Sequence, residues 1–111
     1  MPHAELKYSS DLYLDGGDVL SAIEEVILAH DSGSGACKGR AYPAEVFRHT
    51  HCLLSVSLLT KPHRDKAFTQ ALIQSLRQEL AKHLDKECFV SIAIDYSSDD
   101  AYFTGQHIPQ P

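Results

Sequence analysis

The residues with the most chemical promise stand at the head of the chain, Met1-Pro2-His3. A proline directly behind the initiator methionine is small enough for routine methionine removal, which leaves a free secondary amine. An unperturbed α-amino group titrates at about 7.7–8.0, and prolyl amines are somewhat more basic. Burial or neighbouring cations pull the value down toward neutrality, where a general base works best. Pro2 is therefore a candidate base, with His3 placed to tune it or to touch a substrate. Met-Pro starts are common in proteins with no such chemistry, so the rest of the chain has to supply the rest of a site. Three cations do so on paper: Lys38 and Arg40 after a glycine loop, and Arg64 ahead of a long helical pattern. A cation at a helix N-terminus is disfavoured by the helix dipole unless an anionic ligand shares the spot, when backbone N–H groups and guanidinium pull together. A base ringed by cations suits proton movement on a small anionic substrate. Taken singly, each cation also reads as solvated surface charge.

Other constellations carry less. His49 and His51 share one side of a strand and could hold zinc, but no third ligand of suitable spacing accompanies them, so no metal is expected. Cys37, Cys52 and Cys88 are odd in number and widely spaced, which fits free thiols in a reducing cytoplasm better than a disulfide framework. The loop Asp31-Ser32-Gly33-Ser34-Gly35 lacks the lysine-serine of a phosphate cradle. There is no Gly-x-Ser-x-Gly elbow and no Cys-x-x-Cys pair.

The elements that must position these groups follow from periodicity. Residues 3–8 alternate, Ala4, Leu6 and Tyr8 against His3, Glu5 and Lys7, and predict a half-buried strand. Asp15-Gly16-Gly17-Asp18 supplies a turn and an N-cap for a helix over about 18–30, with Val19, Ala22, Ile23, Val26 and Ile27 on one face. Residues 37–48 read as extended, with Pro43 marking an edge strand or a bend. Residues 51–60 form the clearest strand, Cys52, Leu54, Val56 and Leu58 facing one way. Phe68, Leu72, Leu76, Leu80 and Leu84 set a second helix over about 64–84. Residues 88–95 alternate again, and 101–103 suggest a short last strand. The order is β-α-β twice, and units of this length imply parallel pairing with right-handed crossovers. The expected fold is α+β: a four-stranded mixed sheet with two helices on one face, in a single domain over 1–111. The other face, with Leu53, Leu59, Phe89 and Ala93, is left bare and partly apolar, which suggests packing between subunits.

Composition narrows the function. The 43% hydrophobic and 23% charged content is that of a globular domain. A net charge of −5 argues against a general nucleic-acid partner. No apolar run is long enough to span a bilayer, and no signal peptide is visible, so a cytoplasmic location is expected.

In the order and spacing of Met1-Pro2-His3, Tyr8-Ser9, Gly39-Arg40-Ala41, the strand His51–Thr60 running into Arg64, helix 2, and the final strand leading to Tyr102, the chain resembles the tautomerase superfamily. Within it, the resemblance is to the 5-carboxymethyl-2-hydroxymuconate isomerase family, whose members belong to aromatic compound catabolism. The resemblance implies a homotrimer and a cofactor-free isomerase. Pro2 would take a proton from a dienol polycarboxylate and return it at a distant carbon. Pro2, Arg64 and Arg40 would be catalytic, and Lys38, Arg40, Arg64 and His3 would bind substrate. Two positions depart from the family: Lys38 falls where it has an arginine, and Lys7 where it commonly has an acid. Lysine is a point charge in place of a bidentate fork. A keto–enol tautomerase of another unsaturated acid, or a non-catalytic oligomeric binding protein on the same fold, are the alternative readings.

Overall fold

A computed structural model describes residues 1–111. The chain forms β1 (His3–Ser9), α1 (Gly16–His30), β2 (Lys38–Ala44), β3 (His51–Leu59), α2 (Lys66–Ala81) and β4 (Phe89–Ser97), closed by a 3₁₀ turn at Asp99–Ala101. The sheet order is β2-β1-β3-β4. Each β-α-β unit pairs its own two strands in parallel, β1 with β2 and β3 with β4, and the units join through the antiparallel pair β1 and β3. The sheet is mixed, as the double pattern predicts, and both helices cover one face.

The core is the meeting of period-two strands and period-3.6 helices. Ala4 and Leu6 of β1, and Cys52, Leu54, Val56 and Leu58 of β3, are buried beneath Val19, Ile23 and Ile27 of α1 and Leu72, Leu76 and Leu80 of α2. Gly39 lets α1 sit close to β2, since a Cβ there would lie 3.0 Å from Leu20 Cδ2. Both helices are capped by an aspartate, Asp15 accepting from the Asp18 N–H and Asp65 from the Phe68 N–H, which satisfies donors the first turn leaves open.

Several boundaries differ from the sequence reading. α1 begins at Gly16, because Asp15 is the cap. α2 begins at Lys66 and leaves Arg64 outside it, again because Asp65 caps. Pro43 lies within β2, tolerated because β2 is an edge strand. The short strand expected at 101–103 is absent: Asp99–Ala101 is a 3₁₀ turn and nothing pairs beyond it. The bare face is also more polar than expected. One row across it reads Lys38, His3, Ser57, Asp95, and the next Arg40, Glu5, Ser55, Ala93. Phe89, 71% exposed, is its main apolar feature.

Candidate active site

Pro2 is fully buried although it is the second residue. The Lys38 N–H donates to its carbonyl at 2.9 Å, so β2 grips β1 one residue ahead of its formal start. Alternation sends the Pro2 ring toward the helices with Ala4 and Leu6, while His3 turns to the open face. Lys38 pairs with His3 in register, and Arg40 with Glu5. Register partners point the same way, so Lys38, Arg40 and His3 cluster on the open face beside Pro2.

Arg40 is held there by two contacts, its Nε donating to Glu5 Oε1 at 3.4 Å and its Nη1 standing 3.4 Å from His3 Nδ1. The Tyr42 hydroxyl also donates to Glu5, at 3.3 Å. Desolvation, and then the positive charges of Arg40, the chain's N-terminal ammonium and Lys38, hold His3 below the usual imidazole value. His3 is thus a neutral imidazole at pH 7, able to accept from Arg40 or a substrate hydroxyl without adding charge.

Arg64 reaches the same end of the sheet, since β3 runs antiparallel to β1 and ends there. Its guanidinium, however, is already committed. Nε and Nη2 donate to Asp31 Oδ2 at 3.0 and 2.8 Å, and Nη1 to the Leu59 carbonyl at 2.7 Å. Its side chain is 3% exposed. An anion of the protein itself shares this spot: Asp31, the C-cap of α1. The hydrogen bond from His63, then desolvation opposing it, and then Arg64 act on the Asp31 carboxyl, which ends below its ordinary value. The sequence-predicted residues divide accordingly: His3, Lys38 and Arg40 come together on the open face, joined to Pro2 through the backbone, and Arg64 is tied to Asp31 on the helix side, the side the Pro2 ring also faces.

Sequence reasoning did not find Glu5 and Asp31 as partners, because both roles depend on cross-chain geometry at separations of 35 and 33 residues. His49 and His51 do not converge on a common point: His49 lies edge-on to Phe89, and His51 Nδ1 bonds the His49 carbonyl at 2.7 Å. Burial pushes the Cys37 and Cys52 thiols up to about 11 and raises Cys88 as well. At neutral pH they are protonated and poor nucleophiles.

Comparison with known proteins gives a consistent architecture. No family model and no curated protein matches the chain. Among solved structures, a fused 4-OT described as a wild-type symmetric trimer aligns over 96% of this chain and 94% of its own, with TM-score 0.73 and 14% identity. A 5-carboxymethyl-2-hydroxymuconate isomerase from Deinococcus radiodurans R1 aligns over 96% and 90%, with TM-score 0.67 and 18% identity. A macrophage migration inhibitory factor-like protein from Entamoeba histolytica aligns over 94% and 95%, with TM-score 0.69 and 11% identity. At these identities the likeness shows the fold: the chain has the tautomerase-like architecture, a double β-α-β unit with its N-terminus at the head of an inner strand.

Proposed function

We propose that the protein is a cofactor-free isomerase or tautomerase that moves a proton within an unsaturated, hydroxylated acid, with Pro2 as base and then acid once Met1 has been removed. The observation that carries this reading is the setting of Pro2: buried, pinned through its carbonyl to Lys38, and beside the cluster of Lys38, Arg40 and His3. With Met1 attached, the Pro2 nitrogen is an amide and cannot be a base. Once freed, the amine would sit among positive charges that lower its proton affinity and gather an anion, in a chain otherwise acidic. The proton leaves the substrate hydroxyl for the Pro2 nitrogen, the conjugated bonds shift, and the same proton returns to a distant carbon. Donor and acceptor belong to one bound molecule, so a single positioned base suffices.

The substrate class follows from the cations that are free. Lys38 and Arg40 are available to bind carboxylates; Arg64 is neutralised by Asp31. Two available cations, Lys38 and an Arg40 held only by a long, exposed pair with Glu5, suit one or two carboxylates better than a heavily charged polyacid. This favours 2-hydroxymuconate-type dienols or aryl enolpyruvates over 5-carboxymethyl-2-hydroxymuconate. The sequestration of Arg64 is also what supports the second reading, an oligomeric binding protein for acidic small molecules. A homotrimer completes the first reading, because the open face and the free sheet edges then close against copies.

The deciding experiment is an ultraviolet assay of protein whose Pro2 N-terminus has been verified by mass spectrometry, against 2-hydroxymuconate and phenylenolpyruvate. Conversion by this protein and its loss in Pro2→Ala is the expected result. Tight binding of these acids without turnover would establish the binding-protein reading instead.

A further inference from the structure

The segment after β4 meets the N-terminus beside the candidate site. After β4 the 3₁₀ turn at Asp99–Ala101, held by the Ala101 N–H on the Ser98 carbonyl and by Ser98 Oγ on Asp100, sends the chain back past the end of β3. It arrives at the head of β1, two strands away. There the Tyr102 hydroxyl donates to the Met1 carbonyl at 2.9 Å, and the Thr104 hydroxyl points at the Met1 sulfur at 3.7 Å.

The Met1 carbonyl carbon is the atom bonded to the Pro2 nitrogen. A carbonyl oxygen and the nitrogen of the same peptide are roughly 2.3 Å apart by standard bond lengths. Tyr102 Oη therefore lies within roughly 5 Å of the Pro2 nitrogen, with a carbonyl oxygen between them. Removal of Met1 takes that oxygen away and opens the space in front of the amine. What remains is a phenolic donor aimed at the place where a carbonyl had been, next to the freed base.

We propose that Tyr102 is a further catalytic residue, donating its hydrogen bond to the substrate's 2-oxygen, the atom whose place the Met1 carbonyl now holds. This rests on the reading of Pro2 as the base. As the substrate O–H bond breaks and the N–H bond forms on Pro2, charge gathers on that oxygen. The oxygen becomes a ketone as the N–H bond breaks and a C–H bond forms at the far carbon. No electrons enter or leave. A fixed donor at the 2-oxygen strengthens its bond as the enolate forms, which lowers the barrier more than it tightens ground-state binding. Lys38 and Arg40 would then serve the carboxylates, leaving the 2-oxygen to a neutral group.

Two measurements on mass-verified, Met1-free protein test this. The first is steady-state kinetics of Tyr102→Phe with 2-hydroxymuconate. Removing one such donor typically costs about 10²–10³ in kcat, with KM little changed. The second measures binding without turnover, comparing 2-oxoadipate with adipate by calorimetry. Wild type is expected to prefer the 2-oxo acid about tenfold, roughly one good hydrogen bond, and Tyr102→Phe to bind the two alike. An active wild type whose Tyr102→Phe variant keeps full kcat and the same preference overturns the role of Tyr102 while leaving Pro2 intact. A wild type that neither turns over nor distinguishes the two acids overturns both.

Discussion

At the scale of single residues, the site is a contest between charges already paired and charges left over. Arg64 and Arg40 illustrate it. Arg64 has a full-strength carboxylate and a carbonyl; Arg40 shares Glu5 with Tyr42 at long distances and in water. An exposed pair of that kind is weak, so a substrate carboxylate can displace it. Arg40→Gln is accordingly expected to raise KM for an unsaturated dicarboxylate about tenfold or more, by loss of a charge-assisted contact, with little change in melting temperature. Initial-rate kinetics and a thermal melt together check this. Arg64→Ala should behave in the opposite way. It removes one member of a buried pair and leaves Asp31 uncompensated, at a cost of about 3–5 kcal/mol in stability, measurable by urea denaturation at neutral pH. A large activity loss in Arg64→Ala with unchanged stability would show that Asp31 releases the guanidinium when substrate arrives.

At the scale of elements, the Asp31–Arg64 pair is a clasp. It joins the C-cap of α1 to the loop before α2 and to the end of β3, with His63 bonded to the same carboxylate oxygen. The pH dependence follows from the lowered Asp31 value. A carboxyl with a folded value below its unfolded one, about 3.9, contributes stability fully above the unfolded value. That contribution is lost as pH falls through the folded one. Stability is thus expected to drop below about pH 4, and in Asp31→Asn the drop should be shallower, from a lower starting stability. Denaturant midpoints between pH 7 and pH 3 give the test. The elements themselves were legible because their patterns are local: alternation in residues 3–8 and 51–60 and the four-residue leucine repeat of α2 are each complete within one stretch. Helix starts were blurred by about two residues, since the Asp15–Asp18 turn offers two aspartates as caps and Asp65 lies inside the stretch read as helix. The commitment of Arg64 was not legible at all. It depends on Asp31 arriving from the far end of another helix, which no spacing encodes.

At the scale of the whole molecule, a single chain leaves much of itself uncovered. β4 is an edge strand whose helix-facing side is incompletely roofed by α2. The result is a groove of about 460 Å³ lined chiefly by Ile73, Leu84, Val90 and Ile92, with Phe89 at its rim. A free edge beside an apolar groove invites pairing with another chain. Sedimentation equilibrium is expected to give three times the 12.3 kDa chain mass. Phe89→Arg should shift the protein toward monomer, by placing a charge where the open face meets that free edge. A wild type that stays monomeric at micromolar concentration would leave the trimer without support. The double β-α-β plan could be read from the sequence, but the polarity of the open face could not, because it depends on strand register. Lys38, His3, Ser57 and Asp95 form a row only when the four strands are aligned.

The contact between Tyr102 and residue 1 also bears on how the protein is handled. Tyr102 and Thr104 lie against residue 1, so a fusion at the N-terminus lands beside them. An N-terminal tag makes the Pro2 nitrogen a permanent amide. A tag placed directly after Pro111 trails from the strand of chain that carries Tyr102 and Thr104. Purification is best served by an untagged chain, or by an affinity sequence inserted in the Glu45–Arg48 segment beyond β2, at the opposite end of the β1–β2 pair from Pro2.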